Sequence, residues 1–192
     1  MTQSLIEEIQ PAWHFGNRHA RIIDASADRV AEALESLRLD EDMSPLVRFF
    51  FRARGLSVPN GPTPRDALTA EGFTVLAERP GREIVFGITG KFWAPREMAH
   101  LEPVSDARAY IEFDKPGRAK GAMAFVVEPL PDGRTLLRTE TRVTCSDLRA
   151  RVLFAVYWTL IGIPSGLIRK DMLRAIARRA EELERTPTVR AV

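Results

Sequence analysis

Apolar residues recur along this chain in two periods, near 3.6 towards both ends and 2 in the middle, and the switch points divide it into elements. Arg18 to Asp24 reads as a short strand. Ser26 then opens a helix that carries Val30, Ala33, Leu34 and Leu37 on one side. A second helix is predicted from Ser44 to Arg54, with Pro45 in its first turn, Gly55 as its stop, and Leu46, Phe49, Phe50 and Phe51 as its apolar side. Ser57 to Arg65, with three prolines and a glycine, reads as a loop.

From Gly72 the alternation is that of strands. Phe73, Val75 and Ala77 face one way against Thr74, Leu76 and Glu78, and Arg79-Pro80-Gly81-Arg82 turns the chain into Ile84, Phe86 and Ile88. Pro95 limits any strand between Lys91 and His100 to an edge or a bulge. Ala109, Ile111 and Phe113 alternate with Tyr110, Glu112 and Asp114, which predicts a further strand. After Lys115-Pro116-Gly117-Arg118, Gly121, Met123, Phe125 and Val127 form an inner face. Pro131-Asp132-Gly133 then leads to Leu137, Thr139, Thr141, Val143 and Cys145, opposed by Arg138, Glu140, Arg142 and Thr144. One charged face and one apolar face predict an antiparallel sheet whose apolar side needs a cover.

Asp147 to Leu183 must supply that cover. As one rod these 37 residues would span roughly 55 Å, against about 40 Å for a compact domain of this size. Gly162, Pro164 and Gly166 therefore predict a break, with one helix from Asp147 to Ile161 and another from Ser165 to Leu183. The second has Ile168, Met172, Ile176, Ala180 and Leu183 on one side, and Arg174, Arg178, Arg179, Glu181 and Glu182 on the other.

Composition narrows the class. The chain has 192 residues, 45% apolar, enough for one core, and reads as a single domain over 1–192 with a core at 17–184 and a tail at 185–192. With 28 basic and 26 acidic side chains the net charge is +2, which argues against a nucleic-acid partner. Of the basic residues 24 are Arg, scattered from Arg18 to Arg190, a skew that points to a bacterial genome. Cys145 is the single cysteine, and Met1 to Phe15 carries Glu7 and Glu8 where a signal peptide would be basic and then apolar; a reduced, cytoplasmic protein is expected.

The order of elements, with Gly72-Phe73-Thr74-Val75-Leu76-Ala77-Glu78, Gly87-Ile88-Thr89-Gly90-Lys91-Phe92-Trp93, Thr139-Glu140-Thr141-Arg142-Val143 and Tyr157-Trp158-Thr159-Leu160-Ile161-Gly162, resembles the START/SRPBCC superfamily. That superfamily includes pollen allergens, lipid-transfer domains and polyketide cyclases, and the strings look like an uncharacterised bacterial branch of it. The resemblance covers roughly residues 17–184. It implies an α+β helix-grip fold: a curved antiparallel sheet of six to seven strands on a long C-terminal helix, with two short helices after the first strand. It also implies a cavity between sheet and helix that binds or transports an apolar or amphipathic small molecule, lipid-like or polyketide-like.

The inner faces assigned above would line that cavity with Phe73, Ile84, Phe86, Ile88, Phe113, Met123, Phe125, Thr139, Thr141 and Val143, joined by Ile168 and Met172 from the helix. Trp93 and Trp158 are placed at its rim or in the core. The same residues could instead pack as a solid core. Thr139 and Thr141 are the informative pair, because two hydroxyls on an apolar face need partners, which a ligand, a water or the protein must supply. An enzyme of the cyclase or dehydratase type would rest on His100 with Tyr110 or Glu112, while His14 and His19 read as rim or surface residues. No metal-ligand spacing, cysteine pair or phosphate-binding glycine loop occurs, so no metal and no cofactor are expected, and Cys145 reads as a small buried hydrophobe. Arg142 falls on the charged outer face as a cross-strand partner.

Val152 to Ile163 is uncharged, flanked by Arg149 and Arg151 before it and Arg169 and Lys170 after, and too short to span a bilayer. It reads as a buried helix, a protein interface or an interfacial membrane contact. Phe49 to Arg54 is a second apolar and basic cluster that could adjoin it, and a third class of function, a non-catalytic interaction module or homodimer, would use both.

Overall fold

The computed structural model describes residues 3–42, 44–45, 63–94 and 100–186. The predicted helix of 44–54, including the Phe49 to Arg54 cluster, lies almost wholly outside the described residues, as do Pro95 and the end of the tail.

Five strands form one antiparallel sheet: β1 (Phe15–Ile23), β2 (Thr74–Arg79), β3 (Glu83–Gly90), β4 (Ala119–Pro129) and β5 (Thr135–Cys145), in the order β1-β5-β4-β3-β2. Register follows the predicted alternation. Gly121, Met123, Phe125 and Val127 of β4 stand opposite Val143, Thr141, Thr139 and Leu137 of β5, on the inner face. The outer face of β5 carries the charges read there, with Glu140 pairing Arg18 across to β1, but Arg142 pairs with Glu140 of its own strand and not across strands.

Two strand assignments change. Ala109 to Phe113 is not a strand but belongs to a short helix, α5 (Ala107–Glu112), so the sheet has five strands and not six or seven. Asp106 decides it: its carboxylate accepts from the Ala109 backbone N–H at 2.9 Å, an N-cap that overrides the local alternation. A bulge between Val75 and Ala77 also shifts the phase of β2. Ala77 packs with the outer core and Glu78, opposite Ile84, comes round to the inner face.

Helices cover both faces. α2 (Ala27–Ser36) and α4 (Pro64–Ala70) lie over the inner face, and α3 (Leu39–Asp42) follows α2. α4 falls where a loop was expected, nucleated by a capping box in which Thr63 and Asp66 satisfy each other's backbone N–H. Ser26 precedes α2 as predicted, but its hydroxyl and N–H both donate to Glu184, at 2.8 and 3.0 Å, and so tie the start of α2 to the end of the chain's last helix. On the outer face α1 (Leu5–Ile9) and α5 build a second core from Ile6, Ile9, Leu76, Val85 and Tyr110. Gly87 is required there, since a Cβ would come 2.5 Å from Leu76 and 2.8 Å from the Tyr110 ring. Arg142 is buried under this N-terminal segment: it donates to the Gln10 carbonyl at 2.7 Å and to Glu140 at 2.7 Å, with its guanidinium on the Trp13 ring.

The C-terminal helix does not break. α6 runs Leu148–Arg185 without interruption, 38 residues with Pro164 inside, about 57 Å at 1.5 Å per residue. The proline removes one N–H, and the carbonyl that loses its partner belongs to exposed Leu160, where water can take its place. The length limit fails because the outward side of the first half of α6, with Val152, Val156, Leu160 and Ile163, is exposed and need not fit inside a compact core. The result is an α+β helix-grip fold, a five-stranded antiparallel sheet with a single long helix laid along its inner face.

Candidate functional site

The inner face divides into an apolar floor, a polar patch and an aromatic end. Ile84 and Phe86 of β3, Phe125 and Val127 of β4 and Leu34 of α2 floor a cavity of about 430 Å³ beside α4. Its mouth is charged, with Arg65 paired to Glu78 at 2.7 Å, which is where the β2 bulge has brought Glu78. The open space is thus bounded by the sheet, α2 and α4. It does not lie directly beneath α6, where the cavity was expected.

Of the predicted lining, Phe73, Ile84, Phe86, Met123 and Phe125 form one cluster that Met172 of α6 packs against, while Ile168 joins the neighbouring core of Ile23, Val127, Leu137 and Ile176. Ile88 is buried on the same face, over Gly121. Val143, Trp93 and Trp158 instead belong to the aromatic end, a solid cluster centred on Phe154 with Phe15 and Phe92. Phe113 is not on a strand at all; it caps the C-terminal end of α5, away from the inner face.

The polar patch lies between floor and aromatics. β1 and β5 place Asn17 opposite Thr141 and His19 opposite Thr139, and α6 crosses them with Arg169. One Arg169 Nη donates to the Met123 Sδ at 2.8 Å and reaches the Thr139 hydroxyl at 3.4 Å; no carboxylate pairs with it among the described residues. Arg169 Nε, Thr141 Oγ1, His19 Nε2 and Asn17 Oδ1 are all buried without a partner. Four such atoms at one place depart from the rule that buried polar groups are bonded. Gly166 of α6 lies over His19, where a Cβ would make ordinary van der Waals contact with Nε2 at 3.4 Å.

Burial weakens the charge of both bases. The Arg169 guanidinium is pushed down to about 10 by its removal from water. His19 is held below the ordinary 6.5, first by burial and then by the nearby Arg169 and Lys170 cations, so it is neutral at pH 7.

Asn17 and Arg169 were not among the residues the sequence marked as a site, and His19, read as a rim or surface residue, instead faces inward opposite Thr139 with its Nε2 buried. A signal was there: Asn17 and His19 keep the odd phase of Phe15, and Arg169 lies three residues from Met172 on the inward side of the helix. The predicted catalytic set does not converge. His100 is exposed, Tyr110 is buried on the outer face and donates to Gln10, and Glu112 pairs with Arg108 at 2.9 Å. His14 accepts from the Cys145 backbone N–H at 3.0 Å, and burial pushes the Cys145 thiol up to about 11, as befits an inert core residue. Among the described residues no group of three or more His, Cys, Asp or Glu side chains is placed to hold a metal ion.

No protein-family model and no curated protein matches the chain. Solved structures do. A conserved protein from Geobacillus kaustophilus is 11% identical, with 88% of this chain and 96% of that one covered and a TM-score of 0.42. The XoxI protein from Bacillus cereus is 13% identical over 90% and 100% of the two chains, at 0.37. The Zhui aromatase/cyclase from Streptomyces sp. R1128 is 13% identical over 93% and 99%, at 0.33.

Proposed function

We propose that this protein is a START/SRPBCC-type binding protein that holds an amphipathic small molecule on the inner face of its sheet. The observation that supports it is the juxtaposition described above. An apolar floor with about 430 Å³ of open space adjoins, through the neighbouring pairs Phe125–Thr139 and Met123–Thr141, a patch of buried polar atoms without partners. A ligand's apolar part would displace water from the half-buried Leu34 and Ile84 at about 25 cal/mol per Å² buried, above the already buried Phe86 and Phe125, and its polar end would meet the patch.

The rival reading, a cyclase or dehydratase, has to rest on His19 in place of His100. A neutral histidine beside a cation is a fitting general base, but its described neighbours are the Arg169 and Lys170 cations and the neutral Asn17, Thr139 and Thr141, with no second acid or base converging on it. Binding without turnover is the simpler account. Native mass spectrometry of the protein as purified tests it: a co-purified adduct of a few hundred daltons, lost when the space is filled by Ala31→Trp, is expected. A bare chain that also fails to take up an added apolar dye such as Nile red would end the proposal.

A further inference from the structure

The geometry points to a ligand with a single anionic head group, a carboxylate or a phosphate, seated on Arg169 with His19 and Thr141 as flanking donors. The inference rests on the binding function proposed above and names the chemistry of its polar end.

A guanidinium is a permanent cation with five donors and no acceptor, and taking one out of water without a counter-charge is among the costliest things a fold can do. Here a methionine sulfur and a threonine hydroxyl are its partners, both neutral, and its Nε meets no acceptor among the described residues. A trapped water would satisfy Nε but would leave the charge unbalanced. An anion does both, because a carboxylate or phosphate oxygen accepts the forked N–H edge of arginine. The neighbours agree in sign: Thr141 has a free hydroxyl to donate, the neutral His19 ring can carry its proton on Nε2, and the Asn17 amide turned over offers its NH2. No carboxylate competes for Arg169 among the described residues.

The test uses one twelve-carbon chain with four ends: dodecanoate, dodecyl phosphate, dodecanol and dodecyltrimethylammonium, titrated against the intact protein by calorimetry. Dodecanoate or dodecyl phosphate is expected to bind at least tenfold more tightly than dodecanol, with the ammonium weakest; which of the two leads identifies the head group. Arg169→Gln should bring the anion down to the alcohol, Arg169→Lys should keep part of the preference, and Thr141→Val should lose a few-fold without altering dodecanol binding. Equal affinity for anion and alcohol overturns the anionic head group and leaves the binding function standing; no binding of any of the four overturns both. If Arg169→Gln does not fold, the Thr141→Val and Arg169→Lys series decides.

A different observation carries a second inference: we infer that the outward side of α6 docks on an anionic lipid surface. Val152, Val156, Leu160, Ile163 and Leu167, at spacings of four, four, three and four, form a stripe along the solvent side of the helix, each between 43% and 75% exposed. No carboxylate occurs between Asp147 and Asp171. At 100° per residue Arg149, Lys170 and Arg174, all exposed, fall on the same side, so the stripe is capped by cations at both ends, roughly 32 Å apart. That pattern disfavours a second copy. Whether two such helices paired parallel or antiparallel, cation would meet cation at both ends, whereas anionic head groups complement them. Leu148–Arg185, being unbroken, is long and apolar enough to cross a membrane; it is inferred to lie on the surface because Phe154 on its other side is packed against Phe15, Phe92 and Trp93.

Flotation with vesicles of phosphatidylcholine alone and with 30% phosphatidylglycerol, paired with light scattering of the free protein, tests it. Binding to the anionic vesicles only, lost in Leu160→Asp/Ile163→Asp while the melting temperature is kept, is expected. Failure to float with anionic vesicles overturns the inference, as does a dimer in solution that the same double substitution dissociates.

Discussion

The two halves of α6 have opposite relations to water. From Ile168 onward the helix is amphipathic in the ordinary sense: Leu173, Ile176, Ala177 and Ala180 are buried against α2 and the sheet, and Arg174 and Arg178 face out. From Leu148 to Leu167 the apolar residues are on both sides, Phe154 inward among aromatics and Leu160 and Ile163 outward and largely exposed. One continuous helix therefore serves as a core element at one end and as a surface at the other. Hydropathy separates the two halves but would place the uncharged first half in the core; burial of a helix is read from what lies beside it.

Substitution is the direct way to break this contrast. The largest loss is expected inside. Phe154→Ala removes the hub of the aromatic end and should cost about 3–5 kcal/mol, and Ile176→Ala about 2–5 kcal/mol, in urea denaturation. If Phe154→Ala costs under about 1 kcal/mol, the first half is not anchored and the contrast fails. Next comes the joint between sheet and helix: Asp147 accepts from Ala150 at 2.7 Å and from Gly117, so Asp147→Ala should cost about 1 kcal/mol or somewhat more, seen as a lowered melting temperature.

A smaller effect tests the turn where the halves meet. His19 is held below 6.5 when folded, so the unfolded chain takes up the proton first as pH falls. The stability it contributes is present above 6.5 and fades below it. Denaturation midpoints should decline between pH 6.5 and 5 and decline less steeply in His19→Gln, with His14 supplying part of the remaining slope. Smallest of all, Leu160→Ala should change stability by no more than about 0.5 kcal/mol, since that side chain touches water already.

The sheet was legible in the sequence because four of its strands alternate cleanly between turn signals; β3, β4 and β5 keep the inner faces read from Ile84, Met123 and Thr139. What escaped was set by contacts distant in sequence. The outer core depends on α1 meeting α5, Arg142 is buried only because the N-terminal segment folds over it, and the β2 bulge changes the phase by one residue. Ala109 to Phe113 alternates as a strand would, yet one capping aspartate turns it into helix. In the site, Thr139 and Thr141 were visible as hydroxyls on an apolar face. Arg169 and His19 were not, because charged residues are assigned to water unless the opposing surface is known.

Cys145 has a practical consequence. A thiol displaced to about 11 leaves only about one molecule in 10⁴ as thiolate at neutral pH, and its sulfur is buried as well. Maleimide chemistry will pass it by. A cysteine introduced at position 160 or 163 would then be the sole reactive handle on the molecule, so fluorophores or spin labels can report from the outward side of the helix without first removing the native residue.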